Sequence, residues 1–272
     1  KPMYDSDGRR LRANADAAAL YYAGAALVDA WGLPSSVVDR IAKAVDAALN
    51  NATAARALRG AAPRGWVGSS LALGTNRVES PDLEVWLRSP RLTSALDSYF
   101  GANKYVRTGV NALRLTDALK APFDGGKPNL RGYLSGMWHH DRCGRRVKAF
   151  LFLHDVREDG RPTLIAPGSH RTQFYTYNDL KLSRFADSYV EENYAVTALT
   201  GPRGGGFLFN TNAIHKGRVD GARERTVVIA DFIARAKNRT LAEIAFNGPC
   251  GQPRSAKARG LGRARMAPPA SA

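Results

Sequence analysis

The spacing of apolar residues changes character near residue 105. Before that point apolar side chains recur three and four apart, the repeat that lines one face of a helix. The alanine-rich stretch 15–31 reads as a helix, weakened at Gly24. A second helix begins after Leu33-Pro34, where Ser35 or Ser36 can cap it and Val37, Ile41, Val45 and Leu49 follow at helical spacing. Ser80-Pro81-Asp82 opens another in the same way, Pro90 interrupts, and Arg91 to Tyr99 supplies a short helix that stops before Gly101. From Tyr105 onward the apolar residues come in short runs divided by turn residues. Strands are predicted at Val106–Leu115, Leu134–Asp141, Arg146–Asp155, Thr163–Ala166, Gly206–Asn210, Ala213–Val219 and Thr226–Ile233. Ala121 to Arg131 is rich in breakers and reads as a mobile loop, and Arg171 to Tyr194 as an insertion over one end of the fold. The pattern predicts a mainly β chain with flanking helices, built as a two-sheet sandwich or jelly roll.

Length and composition fit that picture. The 272 residues are 44% hydrophobic, enough for one self-sufficient core. One domain is expected over residues 1–250, with helices over about 15–100 and the β core over about 105–235. Residues 251–272 are basic and rich in Gly, Ala and Pro, and read as a flexible tail. Two cysteines, Cys143 and Cys250, exclude a disulfide scaffold, and whether they pair stays open. No apolar run is long enough to span a membrane and no signal peptide is visible, so a soluble chain is expected, without a compartment. Asn51-Ala-Thr and Asn238-Arg-Thr match the glycosylation triplet, which is common by chance. The net charge of +16 suggests either a basic surface or an anionic partner.

The chemistry concentrates in Met137-Trp-His-His-Asp-Arg-Cys143. Residues two apart in a strand share a face, so His139 and Asp141 point together while Trp138 and His140 point away. A third ligand must come from elsewhere, and His215, at the end of the apolar run Phe207-Leu-Phe-Asn, is the candidate. Two histidines and one carboxylate leave three positions open on a six-coordinate ion, which suits iron(II) oxygen chemistry. Directly behind Asp141 lie Arg142, Arg145, Arg146 and Lys148, candidates for contact with an anionic substrate.

Around these residues runs a recognisable order. Trp-His-His-Asp is followed by the apolar strand from Ala149, the turn Glu158-Asp-Gly160, the string Pro162 to His170 containing Pro-Gly-Ser-His, and then the distal histidine. From about Val106 to Ile233 this order resembles the phytanoyl-CoA dioxygenase family of iron(II)/2-oxoglutarate oxygenases. The resemblance implies a double-stranded β-helix, the cupin-like jelly roll, with His139, Asp141 and His215 as iron ligands. It also implies 2-oxoglutarate and O2 as cosubstrates, and hydroxylation of a small organic molecule with release of succinate and carbon dioxide. Because related halogenases lack the carboxylate, Asp141 argues for hydroxylation or a variant such as desaturation. The far carboxylate of 2-oxoglutarate is expected on an arginine of the strand after His215. Arg225 is favoured and Arg223 is the runner-up. A hairpin with a loop longer than two residues would set Gly217 opposite Arg225 and aim its guanidinium at the metal.

The chain departs from the family pattern. Arg142 stands where a glutamine is usual, Asp159-Gly160 replaces Asn-Gly, and the loop after Asp141 is short and basic. Acyl-CoA is therefore not carried over as substrate. The competing reading is a basic protein that binds nucleic acid or another polyanion on a degenerate oxygenase fold, favoured by net charge alone. No recognised nucleic-acid motif accompanies that charge.

Overall fold

The computed structural model describes residues 13–58, 66–70, 81–116, 123–124, 127–128, 134–141, 146–172 and 184–235. In chain order the elements are α1 (Ala15–Tyr22), β1 (Ala25–Val28), α2 (Ser35–Leu58), β2 (Trp66–Ser70), α3 (Pro81–Leu87), α4 (Pro90–Phe100) and β3 (Tyr105–Leu115). There follow β4 (Phe123–Asp124), β5 (Lys127–Pro128), a 3-10 turn (Leu134–Gly136), β6 (Trp138–His139), β7 (Arg146–Phe152), β8 (Thr163–Ile165) and α5 (Ser169–Thr172). The last are β9 (Arg184–Phe185), α6 (Asp187–Asn193), β10 (Thr197–Leu199), β11 (Gly206–Asn210), β12 (His215–Gly217) and β13 (Arg225–Ala234).

Two antiparallel sheets form the body. One has six strands in the order β1-β11-β7-β13-β3-β2, the other five in the order β10-β8-β12-β6-β9. Alternation along each strand decides which side goes where. On β7, Val147, Ala149 and Leu151 face a core shared with Leu20, Ile41, Trp86 and Leu96 of the helices. Phe150 and Phe152 face the other way and join Phe207, Phe209, Val227, Ile165 and Leu199 between the sheets. The helices therefore back the six-stranded sheet, and its opposite face meets the five-stranded sheet. No helix among the described residues is long and apolar enough to cross a membrane.

Several sequence expectations change in detail. The helix expected over 15–31 ends at Tyr22, because Gly24 takes φ +86° and the chain turns into β1. A Cβ there would stand 2.7 Å from His170 Nδ1, so only glycine fits the turn. The second helix starts at Ser35 and continues to Leu58, which places Ser35 and Ser36 inside its first turn. The strand expected at Leu134–Asp141 shrinks to the two residues of β6, preceded by the 3-10 turn. Within the expected loop at 121–131, β4 and β5 pair with each other, and the remainder lies outside the described residues. So do Arg142, Cys143, Arg145, Cys250 and the basic tail.

The largest correction concerns the expected hairpin after His215. β12 lies between β8 and β6, whereas β13 lies between β7 and β3 in the other sheet. Both edges of each strand are thus taken, and the chain crosses between sheets instead of folding back. Gly217 stands opposite Thr163, and Arg225 opposite Leu115.

Candidate metal centre

His139 and His215 are cross-strand partners in the five-stranded sheet. Their rings sit 4.3 Å apart between centroids, tilted by 46°. Both are buried, at 5% and 6% exposure. Asp141 follows the end of β6, where its N–H donates to the Thr211 carbonyl at 2.9 Å. Its Oδ1 lies 3.6 Å from His139 Nε2. One donor atom from each of His139, Asp141 and His215 lies within 4.8 Å of the others.

Each imidazole is oriented through its second nitrogen. His139 Nδ1 lies 2.7 Å from the Met137 carbonyl, and His215 Nδ1 lies 2.8 Å from the Ala213 carbonyl. A carbonyl can only accept, so both rings carry their proton on Nδ1. That leaves each Nε2 lone pair for a metal, the arrangement that backbone partners of ligating histidines generally impose. Burial, followed by mutual repulsion with His215, holds His139 well below the usual histidine range, and burial likewise lowers His215. Both are therefore neutral at ordinary pH, as ligation requires. Burial alone would raise the Asp141 carboxyl, but the opposing charge, that of the Lys148 ammonium first, outweighs it and holds the group well below the usual carboxylate range. Two neutral imidazoles and an ionised carboxylate on one side of an interior space fit a divalent ion.

The parity expectation at the motif is met by the packing. Trp138 turns away from His139 and joins Ile214, Ala166 and Val190, with Lys216 Nζ 4.8 Å above its ring. His140 also points elsewhere, toward Phe185, and burial lowers it to about 4.

Short strands need external anchors, and the Pro-Gly-Ser-His string supplies them. Ser169 Oγ donates to the Ala166 carbonyl at 2.7 Å and accepts the Ile214 N–H at 2.8 Å, one residue before His215. The Ala166 N–H donates to the Ile214 carbonyl, and the Gly168 N–H to Ala23. His170 Nε2 lies 2.9 Å from the Tyr21 carbonyl, which joins the same turn to α1. On the other side, Asn210 Oδ1 accepts the Asn212 N–H at 3.0 Å, and the Thr211 N–H donates to the Arg146 carbonyl at 3.1 Å. Asn210 and Thr211 thus set the Asp141 backbone, a role that motif reading missed. Asparagine at a strand end before a histidine was the available signal, since such side chains favour local turns.

The basic residues separate into distinct roles. Arg225 is 2% exposed, and its Nη1 donates to Thr163 Oγ1 at 2.9 Å across the gap between the sheets. Thr163 pairs with Gly217, two residues from His215 on the same face. Arg223 instead lies at the surface with its Nε 3.1 Å from Asp159. Arg146 pairs with Asp231 at 3.0 Å, and Lys148 with Asp141 at 2.5 Å. Arg184, which the sequence reading did not single out, stands opposite His139 in register. It is half-buried, and burial lowers its pKa more than the nearby Asp141 charge raises it. His154 Nε2 accepts the Thr226 N–H at 2.8 Å, which pins the backbone next to Arg225.

The apo structure of EctD from S. alaskensis superposes with a TM-score of 0.57 at 17% identity, covering 86% of this chain and 82% of that one. The non-heme alpha-ketoglutarate-dependent carbocyclase SnoK of nogalamycin biosynthesis gives 0.55 at 13%, covering 86% of both chains. The fold is shared with non-heme, 2-oxoglutarate-dependent enzymes. The epimerase SnoN, in complex with Fe3+, alpha ketoglutarate and nogalamycin RO, gives 0.55 at 14% identity, with coverage of 81% and 82%. At such identities the likeness is one of fold. No family model matches the chain, and no curated protein does.

Proposed function

We propose that this chain is an iron(II)- and 2-oxoglutarate-dependent oxygenase of the phytanoyl-CoA dioxygenase-like type, built on a double-stranded β-helix. The observation that carries the reading is the convergence of His139, Asp141 and His215 inside the sandwich, with both Nε2 atoms left for a metal. When bound, iron(II) with 2-oxoglutarate and O2 supplies an oxidant able to break a substrate C–H bond. The protein's own part is to bind, orient and keep water out.

In this reading His139, Asp141 and His215 hold the iron, and Arg225 holds the far carboxylate of 2-oxoglutarate. Arg225 is suited to it by burial, by the planar fork that matches a carboxylate, and by its anchor at Thr163. Arg223 is disfavoured by exposure and by its pairing with Asp159. The aromatic wall of Phe150, Phe207 and Phe209 lines the interior beside His215, whose ring is 4.6 Å from Phe209. Such a wall excludes water from the reacting centre.

The substrate is proposed to be a small anionic organic molecule, hydroxylated at carbon. The half-buried cation Arg184, opposite His139, supports the anionic class. Arg142 and Arg145 stay candidates for the same contact. Arg146 and Lys148 are taken up by internal ion pairs and are less suited. A pure polyanion binder on a degenerate fold would have no use for three converged ligands with preset tautomers.

The test is a screen of small molecules, weighted toward carboxylates and phosphates, read by succinate formed from 2-oxoglutarate. The expected result is a subset that stimulates succinate release in an iron-dependent way, with a product that gains one oxygen atom. Stimulated turnover with a product that gains no oxygen would keep the cofactors and overturn hydroxylation. Absence of iron-dependent succinate across the screen would count against the whole reading.

A further inference from the structure

The sequence places Lys148 among the substrate-facing cations, but its surroundings give it another task. It lies on β7, which is paired on both sides, opposite Phe209 of β11 and Asp231 of β13. Its backbone is therefore fixed within the larger sheet. Its side chain shares the inner face with Phe150 and reaches across to the other sheet, where Nζ meets Asp141 Oδ2 at 2.5 Å. The two carboxylate oxygens are thus distinguished: Oδ2 is held by Lys148, while Oδ1 faces the lone pair of His139 Nε2 at 3.6 Å, on the side where a metal would sit. Asp231, the other acid beside Lys148, has its own partner in Arg146, whose Nε and Nη2 each lie 3.0 Å from Asp231 Oδ1.

We propose that Lys148 is a positioning residue that tethers the outer oxygen of Asp141, so that this carboxylate offers a metal one oxygen and leaves room for a chelating cosubstrate. The proposal rests on the reading of His139, Asp141 and His215 as metal ligands. A carboxylate free to turn can chelate through both oxygens, and the second oxygen would occupy a position that a 2-oxo acid needs. Charge acts in the same direction. Lys148, Arg146, Asp141 and Asp231 form a balanced set of two cations and two anions. A divalent ion and dianionic 2-oxoglutarate add equal and opposite charge. Loss of Lys148 makes the site one unit more negative, which favours the cation and disfavours the dianion.

This predicts effects of opposite sign, which a merely structural ion pair would not produce. Metal and cosubstrate affinities are to be measured separately by calorimetry on the full chain, with manganese(II) first and then 2-oxoglutarate added to the metal-loaded protein without O2. Lys148→Met is expected to bind manganese at least as tightly as the wild type. Its affinity for 2-oxoglutarate is expected to fall by about 10- to 100-fold, from the lost positive charge beside the dianion and the competing second oxygen of Asp141. Lys148→Gln, which keeps a donor without the charge, is expected to fall between the two, and it serves also if the methionine variant does not fold. Parallel loss of both affinities, or 2-oxoglutarate affinity equal to wild type in both variants, overturns the positioning role. Failure of the wild type to bind manganese would overturn the metal reading itself, which separates the two failures.

Discussion

The two sheets differ in how they are held. The six-stranded sheet contains strands of 11, 10 and 7 residues, paired along their length and backed by the helical core. The five-stranded sheet is made of strands of two or three residues. Yet both candidate imidazole ligands stand on the smaller sheet, on β6 and β12. Ladder length therefore does not supply the rigidity of this site. Side-chain anchors such as Ser169 and Asn210, and the reach of Lys148 and Arg225 from the larger sheet, supply it instead. From the larger sheet Lys148 reaches Asp141 and Arg225 reaches Thr163, beside the candidate ligands of the smaller sheet.

The sharpest way to break this division is to cut one of the reaches. Arg225→Ala is expected to weaken 2-oxoglutarate binding by orders of magnitude, since removing one partner of a buried charge pair costs about 3–5 kcal/mol. Metal binding should stay near wild type, because Arg225 is anchored by its Nη1 at Thr163 Oγ1 on β8 and is not one of the three candidate ligands. Calorimetry with metal and then 2-oxoglutarate separates the two. Normal 2-oxoglutarate affinity in this variant would move the role to another residue.

A paired comparison tests the larger sheet against the anchors. Leu208 is fully buried among the helices and β7. Leu208→Ala should lower unfolding free energy by about 2–5 kcal/mol while the folded fraction still binds metal. Ser169→Ala should cost less, about 1–3 kcal/mol, by leaving the buried Ile214 N–H without its acceptor. Its metal affinity should nevertheless fall more than that of Leu208→Ala, because the anchor lies one residue from His215. Urea titration and metal binding on both variants check the crossing, and equal metal affinities would contradict it.

Acid should act more gently. Burial holds His139, His140, His170 and His215 below the ordinary value of 6.5, with His140 near 4. In the metal-free protein the unfolded chain thus binds more protons than the folded one below 6.5. The stability from keeping these rings neutral is full above 6.5 and declines as pH falls from there toward about 4. The urea midpoint of the metal-free protein should be lower near pH 5 than near pH 7.5. Equal midpoints would mean that the rings are solvated.

What was legible in the sequence follows the same division. The β3, β7, β11 and β13 strands announce themselves through long apolar or alternating runs, because each buries one or both faces. The candidate site was legible in His139, Asp141 and His215, where residue type and order carry the chemistry. β2, β9 and β10 were not anticipated, since polar or very short segments carry no periodicity. The hairpin expectation failed because the short spacing between Gly217 and Arg225 does not reveal that both edges of each strand are occupied by others. That Lys148 meets Asp141, and that Arg184 stands opposite His139, was beyond sequence reasoning for a similar reason. Which charge meets which is decided by pairing across sheets, not by distance along the chain.

The most direct test of the central claim is whether 2-oxoglutarate binding requires metal held by these three residues. Wild-type protein stripped of metal should show no measurable 2-oxoglutarate binding in calorimetry, and addition of one equivalent of manganese(II) should create it. Asp141→Ala and His215→Ala should abolish or greatly weaken that metal-dependent binding while remaining folded. Equal 2-oxoglutarate binding with and without metal, or manganese affinity unchanged in both variants, would contradict the account.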